Sequence, residues 1–295
     1  MKPHLVLLVL WLATVALFGS PLRATVSLSL DDYRYSAINA APFLCIVLLY
    51  IDRNRIFSTS RFSPGLGLPL FSVAAMLAFF LMHRSSGTDE IARLFPIVLA
   101  IVLSWLAAFI LCYGVSSFKA SIYPLCCLLL AVPIPASVLD SFSAALQNGS
   151  AACSYALLQL CGVSVYRQGT MFVIPGLEFN IAPECSGIRS ACAFLMVALL
   201  AGRLFLRSPW ARIISVISTI PIAILKNAVR IAVTTSLGAF VDHSFIDGPF
   251  HHQYGGLIFA PVDALLFIPL LWALQKIENR SPKTAPVERP EYSTT

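Results

Sequence analysis

Eight apolar stretches, each close to the length that crosses a bilayer, limit what this chain can fold into. They fall at about 5–21, 35–51, 65–82, 94–113, 120–138, 188–206, 213–236 and 257–274. A hydrocarbon core of roughly 30 Å takes about 20 apolar residues as a helix, and within it every backbone polar group must be paired inside the chain. Charged residues make up only 12% of the sequence and mean hydropathy is +0.82, against roughly a quarter charged in soluble domains. The expected fold class is an all-α polytopic integral membrane protein with about eight transmembrane helices, and a soluble enzyme is excluded. The first stretch follows Lys2 and ends near Gly19-Ser20-Pro21, a weak signal-peptidase site. Its apolar part is long and no clean small-x-small site follows, so it reads as a retained helix rather than a cleaved leader.

Loop charge sets the orientation. With the N-terminus inside and alternating spans, the inner side receives Lys2, Arg53, Arg55, Arg61, Lys119, Arg203, Arg207, Arg212, Lys276, Arg280, Lys283 and Arg289, twelve of the 20 basic residues. The outer side receives six, and Lys226 and Arg230 fall within a span. This twofold excess predicts a multi-pass protein with both termini inside. It also accounts for most of the net charge of +6, so no nucleic-acid partner is implied.

Residues 1–275 read as one transmembrane domain, with an extracytoplasmic insert at about 139–187. Leu139, Phe142, Leu146, Cys153, Leu157 and Leu160 recur at helical spacing. Asn148-Gly149 interrupts them, which predicts two short amphipathic helices on the membrane. Gln168-Gly169 between 163–167 and 170–174 predicts a β-hairpin, and Pro175-Gly176 turns the chain again towards 178–181. The polar tail 276–295 is expected to be disordered and cytoplasmic. Five of the eight cysteines fall in spans as packing residues; Cys153 and Cys161 lie together in the insert and could pair in an oxidising compartment. No Cys/His spacing suits a metal.

Cys185 stands apart from the other cysteines. It lies in Pro183-Glu184-Cys185-Ser186-Gly187-Ile188-Arg189-Ser190, where a polar stretch meets an apolar run. That places it at or next to a helix N-cap, with Ser186 as the alternative cap, where unpaired N–H groups favour a thiolate. Gly187 allows another segment to approach the backbone closely. Downstream, a helix rising about 1.5 Å per residue from Arg212 puts Arg230 roughly 27 Å up, near the outer boundary. Lys226 sits one turn deeper on the same face, and Asn227 could orient Arg230 or tie helices together. Cations inside a span cost about 2.5–3.5 kcal/mol each and read as functional. His251 and His252 follow in the next outer loop. Cys185, Arg230 and a histidine thus reach one membrane face from three separate stretches, a combination suited to thiol-based acyl chemistry.

Three of these stretches resemble the exosortase/archaeosortase group of membrane transpeptidases: Cys185-Ser186-Gly187-Ile188-Arg189-Ser190, Asn227-Ala228-Val229-Arg230, and His252-Gln253-Tyr254-Gly255-Gly256. Pro133-Ile134-Pro135 and the helix containing Gln147 also look like that family, and the likeness extends over about residues 120–274. Family members often carry Asp where Gln253 stands, which leaves the orientation of the imidazole open. His252 is preferred to His251 because of its distance to Gly256. The resemblance implies a cysteine protease or transpeptidase, a hydrolase with no cofactor, whose site faces the extracytoplasmic side. Cys185 would be the nucleophile, Arg230 the oxyanion stabiliser and His252 the general acid/base, with Ser186, Gly187, Arg189, Lys226, Asn227 and Gly256 in support. The implied substrates are secreted proteins with a C-terminal sorting signal (PEP-CTERM-like) that includes a transmembrane helix. The thioester would pass to water or to an amine on a lipid or glycan acceptor. Two rivals remain: a transporter using Lys226, Arg230 and Asp263 along an anion path, and a membrane acyltransferase using Cys185 as a carrier thiol.

Overall fold

The computed structural model describes residues 3–58, 61–84, 89–175, 177–242, 245 and 258–280. His251, His252, Gln253 and Gly256 lie outside the described residues, as does the tail from 281 onward. Among the described residues the fold is helical apart from one small sheet, and six helical stretches are long and apolar enough to cross a membrane. Two further bent pairs bring the possible spans to eight, in agreement with the polytopic all-α expectation.

The first bent pair is α1 (Pro3–Leu17) and α2 (Gly19–Asp31), which meet at 81°. After a single 3₁₀ turn come α3 (Ala37–Ile51) and the short α4 (Arg53–Ile56), then the hairpin of α5 (Pro64–Arg84) and α6 (Glu90–Ala120). Helix α6 forms the centre of the bundle, with 61% of its apolar window buried. Val98, Val102, Phe109 and Tyr113 pack there against Leu44, Cys45 and Leu48 of α3. It breaks at Gly114, where φ is +79°. The carbonyls of Leu111 and Tyr113 accept from the N–H groups of Ser63 and Arg61 at 3.0 and 3.1 Å. The chain leading into α5 thereby satisfies backbone groups at the kink, as an apolar surround requires.

The stretch expected as a span at 120–138 is not one helix. It forms α7 (Ile122–Cys126) and a 3₁₀ segment (Cys127–Ala131), then turns by 101° into α8 (Ala136–Leu160). Pro133 and Pro135 account for the break, because neither can donate an N–H to a continuing helix. The insert differs from expectation in a second way: α8 is one 25-residue helix that runs straight through Asn148-Gly149. Gly149 is there for close packing. A Cβ at that position would sit 3.1 Å from Ile224 Cδ1, and Ser154 Oγ donates to Ala228 O at 3.2 Å beside it. Tertiary packing overrides a weak propensity signal.

The expected hairpin is present with an added strand. Strands β1 (Tyr166–Gln168), β2 (Met171–Ile174) and β3 (Leu177–Asn180) form an antiparallel sheet in that order, turning at Gly169-Thr170. Phe172 and Ile181 pack on Ala151 and Leu158 of α8 in a single core cluster. A 3₁₀ turn at Pro183–Ser186 then leads into α9 (Ile188–Phe205), α10 (Pro209–Ile217) and α11 (Thr219–Phe240), and Ile231 of α11 joins the Phe172 cluster. The last helix, α12 (Ala260–Arg280), continues five residues into the region expected to be tail. Cys153 and Cys161 are both free thiols.

Helices α9 and α12 run side by side in the same direction. Phe194 and Phe267 meet edge to face at 5.1 Å, and Gln275 Nε2 donates to Phe205 O at 3.1 Å further along. Glu278 accepts from Ser208 N at 2.7 Å and Arg207 N at 3.1 Å. At the same end Arg203 pairs with the buried Asp52, its Nε donating at 2.7 Å. The ends of α9 and α12 remote from Cys185 are thus fastened by polar contacts, and the ends near it are left to the site.

Candidate functional site

Cys185 lies where the sheet, α8, α9 and α11 converge. Its own N–H donates to Ala182 O at 2.9 Å, which closes the 3₁₀ turn. Its carbonyl accepts from Asn227 Nδ2 of α11 at 2.8 Å. The first two sequence clusters, 42 residues apart, are therefore in direct contact. The sequence reading had placed Cys185 at or beside the helix cap, and the structure corrects this. Gly187 is the N-cap of α9, with φ +81°, and no side chain caps the helix. Cys185 precedes the cap by two residues. Ser186 is buried and accepts from Ser143 Oγ of α8 at 2.9 Å, so it serves as a tie between helices.

Gly187 is constrained twice. Its left-handed φ suits glycine, and a Cβ there would lie 3.1 Å from Asn227 Cγ. The close approach expected of Gly187 is real, and Asn227 is the group that approaches. Gln147 of α8 supports the turn from the other side, with Nε2 donating to Ile181 O at 2.5 Å. Arg189 is exposed on the first turn of α9, away from the Asn227 contact.

The half-buried thiol residue packs against the cluster that holds Ile231. It also lines a cavity of about 70 Å³ with Phe179, Ile181, Ile231, Thr234 and Thr235. Asn227, Arg230, Ile231 and Thr234 stand at i, i+3, i+4 and i+7 of one helix, so they share a face. Cys185 meets that face at Asn227 below and at Ile231 to Thr235 above, which brackets the level of Arg230. Thr234 Oγ1 donates to Arg230 O at 2.8 Å. Thr234 and Thr235 were not singled out from the sequence, although the i+4 spacing from Arg230 and Ile231 was readable there.

Lys226 takes a different place from Arg230. It is 3% exposed and points to α12, where its Nζ lies 3.4 Å from Asp263 Oδ2. Asp263 is itself 13% exposed, and its Oδ1 has no hydrogen-bond partner among the described residues. Lys226 is the immediate neighbour of Asn227, so this pair fixes α12 at the level of Cys185. It also anchors the downstream end of the connection that carries His251 and His252. Among the described residues no group of three or more His, Cys, Asp or Glu could hold a metal ion.

A cavity that admits little more than a side-chain fragment, a thiol in its wall and a guanidinium on the adjoining face can act on a carbonyl presented from outside. A family model described as transmembrane exosortase matches residues 28–268, most of the chain. No curated protein and no solved structure matches it significantly.

Proposed function

This chain belongs to the transmembrane exosortase family, whose general role is the processing of sorting signals, and on that premise we propose that it is a cysteine transpeptidase or protease acting through Cys185. The observation that carries the reading is the Asn227 to Cys185 contact of 2.8 Å, which brings the Cys-Ser-Gly and Asn-x-x-Arg stretches together. In the proposed reaction the Cys185 thiolate attacks the carbonyl carbon of a scissile peptide bond in a C-terminal signal. The tetrahedral oxyanion forms beside Arg230, whose charge acts strongly in a water-poor site. Collapse breaks the C–N bond, His252 gives its proton to the leaving amine, and an acyl thioester remains on Cys185. Water or an acceptor amine, deprotonated by His252, then attacks the thioester and releases the thiol.

The substrates in this reading are secreted proteins held by a C-terminal transmembrane helix, and the acceptor is water or a lipid or glycan amine. The site faces the extracytoplasmic side of a prokaryotic inner membrane, with both termini inside; loop charge supports that orientation. The transport reading is weakened because Lys226 is 3% exposed and paired with Asp263 across α11 and α12, so it offers no free cation to an anion path. Co-expression with a signal-bearing substrate tests the reading. Cys185→Ala should abolish the processed form while the full-length substrate accumulates. Processing at the wild-type rate in that variant would remove Cys185 from the mechanism.

A further inference from the structure

An apolar groove of about 450 Å³ runs between α9 and α12, beginning at Ser190 and Asp263 beside the Cys185 site. We propose that it seats one apolar helix of the protein substrate, with that helix's first turn at Asp263, so that the segment preceding the helix lies at Cys185. The proposal rests on the reading of Cys185 as nucleophile and adds where, and in which direction, the substrate's helix docks.

The walls suit a helix. Ala193 and Ala201 on α9 and Ala260 and Ala264 on α12 keep both sides low, and small residues are what let helices approach closely in lipid. The floor is filled by the Phe194 and Phe267 contact. The rims are Val197 and Ile268, 57% and 63% exposed. From Ala260 to Leu271 the wall is about 16 Å long at 1.5 Å per residue. That is roughly half of a 30 Å hydrocarbon core, so the groove holds the half of a spanning helix nearest the site. The far end is closed where Gln275 and Glu278 fasten α12 to the end of α9. Helix α12 is also the least buried of the six spans, at 11%, and forms an open edge.

Polarity selects the occupant and its direction. Asp263 lines the groove at the site end, and its Oδ1 is buried with no hydrogen-bond partner among the described residues. The first turn of any helix has up to four unpaired N–H groups and the positive end of the helix dipole. The negative charge of Asp263 at that end of the groove complements the positive end of a helix, whereas a lipid acyl chain brings no donor and a helix C-terminus brings only carbonyls. Continuity supplies the rest. Ser190 Oγ donates to Gly187 O at 2.9 Å, so the groove starts on the same turn that follows Cys185. A chain leaving the first turn of the docked helix towards its N-terminus passes directly to the thiol.

The test uses the full chain in membranes, with a photoreactive benzophenone side chain at Val197, Ile268 or, as an off-groove control, Leu265. In a Cys185→Ala background that cannot turn over, positions 197 and 268 should crosslink to the first turns of the substrate's helix, and position 265 should not. Adducts with lipid alone from 197 and 268, or substrate adducts only from 265, would overturn the proposal. With Cys185 intact, Ala264→Trp should lower substrate processing about tenfold, equivalent to about 1.4 kcal/mol, while Leu265→Trp leaves it unchanged. Alkylation of Cys185 by iodoacetamide at the wild-type rate in Ala264→Trp shows that the thiol site is still built. Unchanged processing in Ala264→Trp sinks the groove alone. Groove crosslinks together with full processing by Cys185→Ala would sink the nucleophile and leave the groove standing.

Discussion

Replacing Lys226 with methionine should be among the most destabilising single changes available in this chain. Lys226 and Asp263 are 3% and 13% exposed and 3.4 Å apart, so neither charge is screened as a surface pair would be, where the worth is about 0–1 kcal/mol. Lys226→Met keeps the shape of the stem and removes the cation. It strands a buried carboxylate that already has one oxygen without a donor. Removing one partner of a buried pair costs about 3–5 kcal/mol, whereas replacing both with apolar groups is often neutral or stabilising. Unfolding titrations with sodium dodecyl sulfate in mixed micelles should therefore show a loss of about 3–5 kcal/mol for Lys226→Met. Most of it should return in Lys226→Met/Asp263→Leu. The double variant should still process substrate poorly, because the groove has lost its negative charge. A single variant as stable as wild type, or a double variant worse than the single, would refute the argument that these charges matter as a buried pair.

Three other substitutions probe separate contacts. Gly187→Ala forces a left-handed φ on a residue with a Cβ and presses it against Asn227 at 3.1 Å; the backbone strain alone is about 1–2 kcal/mol, so membrane-inserted protein with little processing is expected, read by immunoblot of substrate. Gly149→Leu should part α8 from α11 at Ile224 and lose about 1–3 kcal/mol as overpacking does, measured by the same micelle titration; no loss would mean that the two helices do not meet closely there. Asp32 accepts from Arg34 N at 2.9 Å and from the Arg34 side chain. Burial alone would raise its carboxyl, but the Arg34 hydrogen bonds outweigh this and hold it below its ordinary value. A lowered carboxyl contributes stability that is fully present above its unfolded value, about 3.9, and is lost as pH falls through the folded one. The penalty of Asp32→Asn should therefore be full at pH 6 and fade below about pH 4, as followed by thermal unfolding; a penalty that does not change with pH would contradict it.

The sequence carried the membrane class, and it singled out the Cys185 and Asn227–Arg230 stretches, which touch through Asn227, because both rest on strong local signals. Apolar run length is tied directly to bilayer thickness, and a cation inside a span is costly enough to be informative on its own. The errors came where distant packing decides. Asn148-Gly149 reads as a break, yet α8 passes through it because Ile224 needs the missing side chain. The stretch 120–138 reads as one span by hydropathy, yet Pro133 and Pro135 turn it by 101°. Cys185 reads as a cap residue, but Gly187 holds the cap and Asn227 reaches past it to the Cys185 carbonyl. Lys226 and Asn227 are neighbours about 100° apart on α11, so they face different ways, but which partner each meets depends on how the helices pack. Asp263 was weighed only as part of an ion path, because its pairing with Lys226 depends on how α11 and α12 cross.

The central claim is that Cys185 carries the acyl group of a peptide. Intact and peptide mass spectrometry of the protein, quenched in acid during turnover of a co-expressed signal-bearing substrate, tests it directly. The account predicts a hydroxylamine-labile adduct on the Cys185 peptide whose mass matches the substrate segment that ends at the scissile carbonyl, on the N-terminal side of the cut, absent from Cys185→Ala. A fatty acyl mass on Cys185, or the same peptide adduct on another residue, would contradict it.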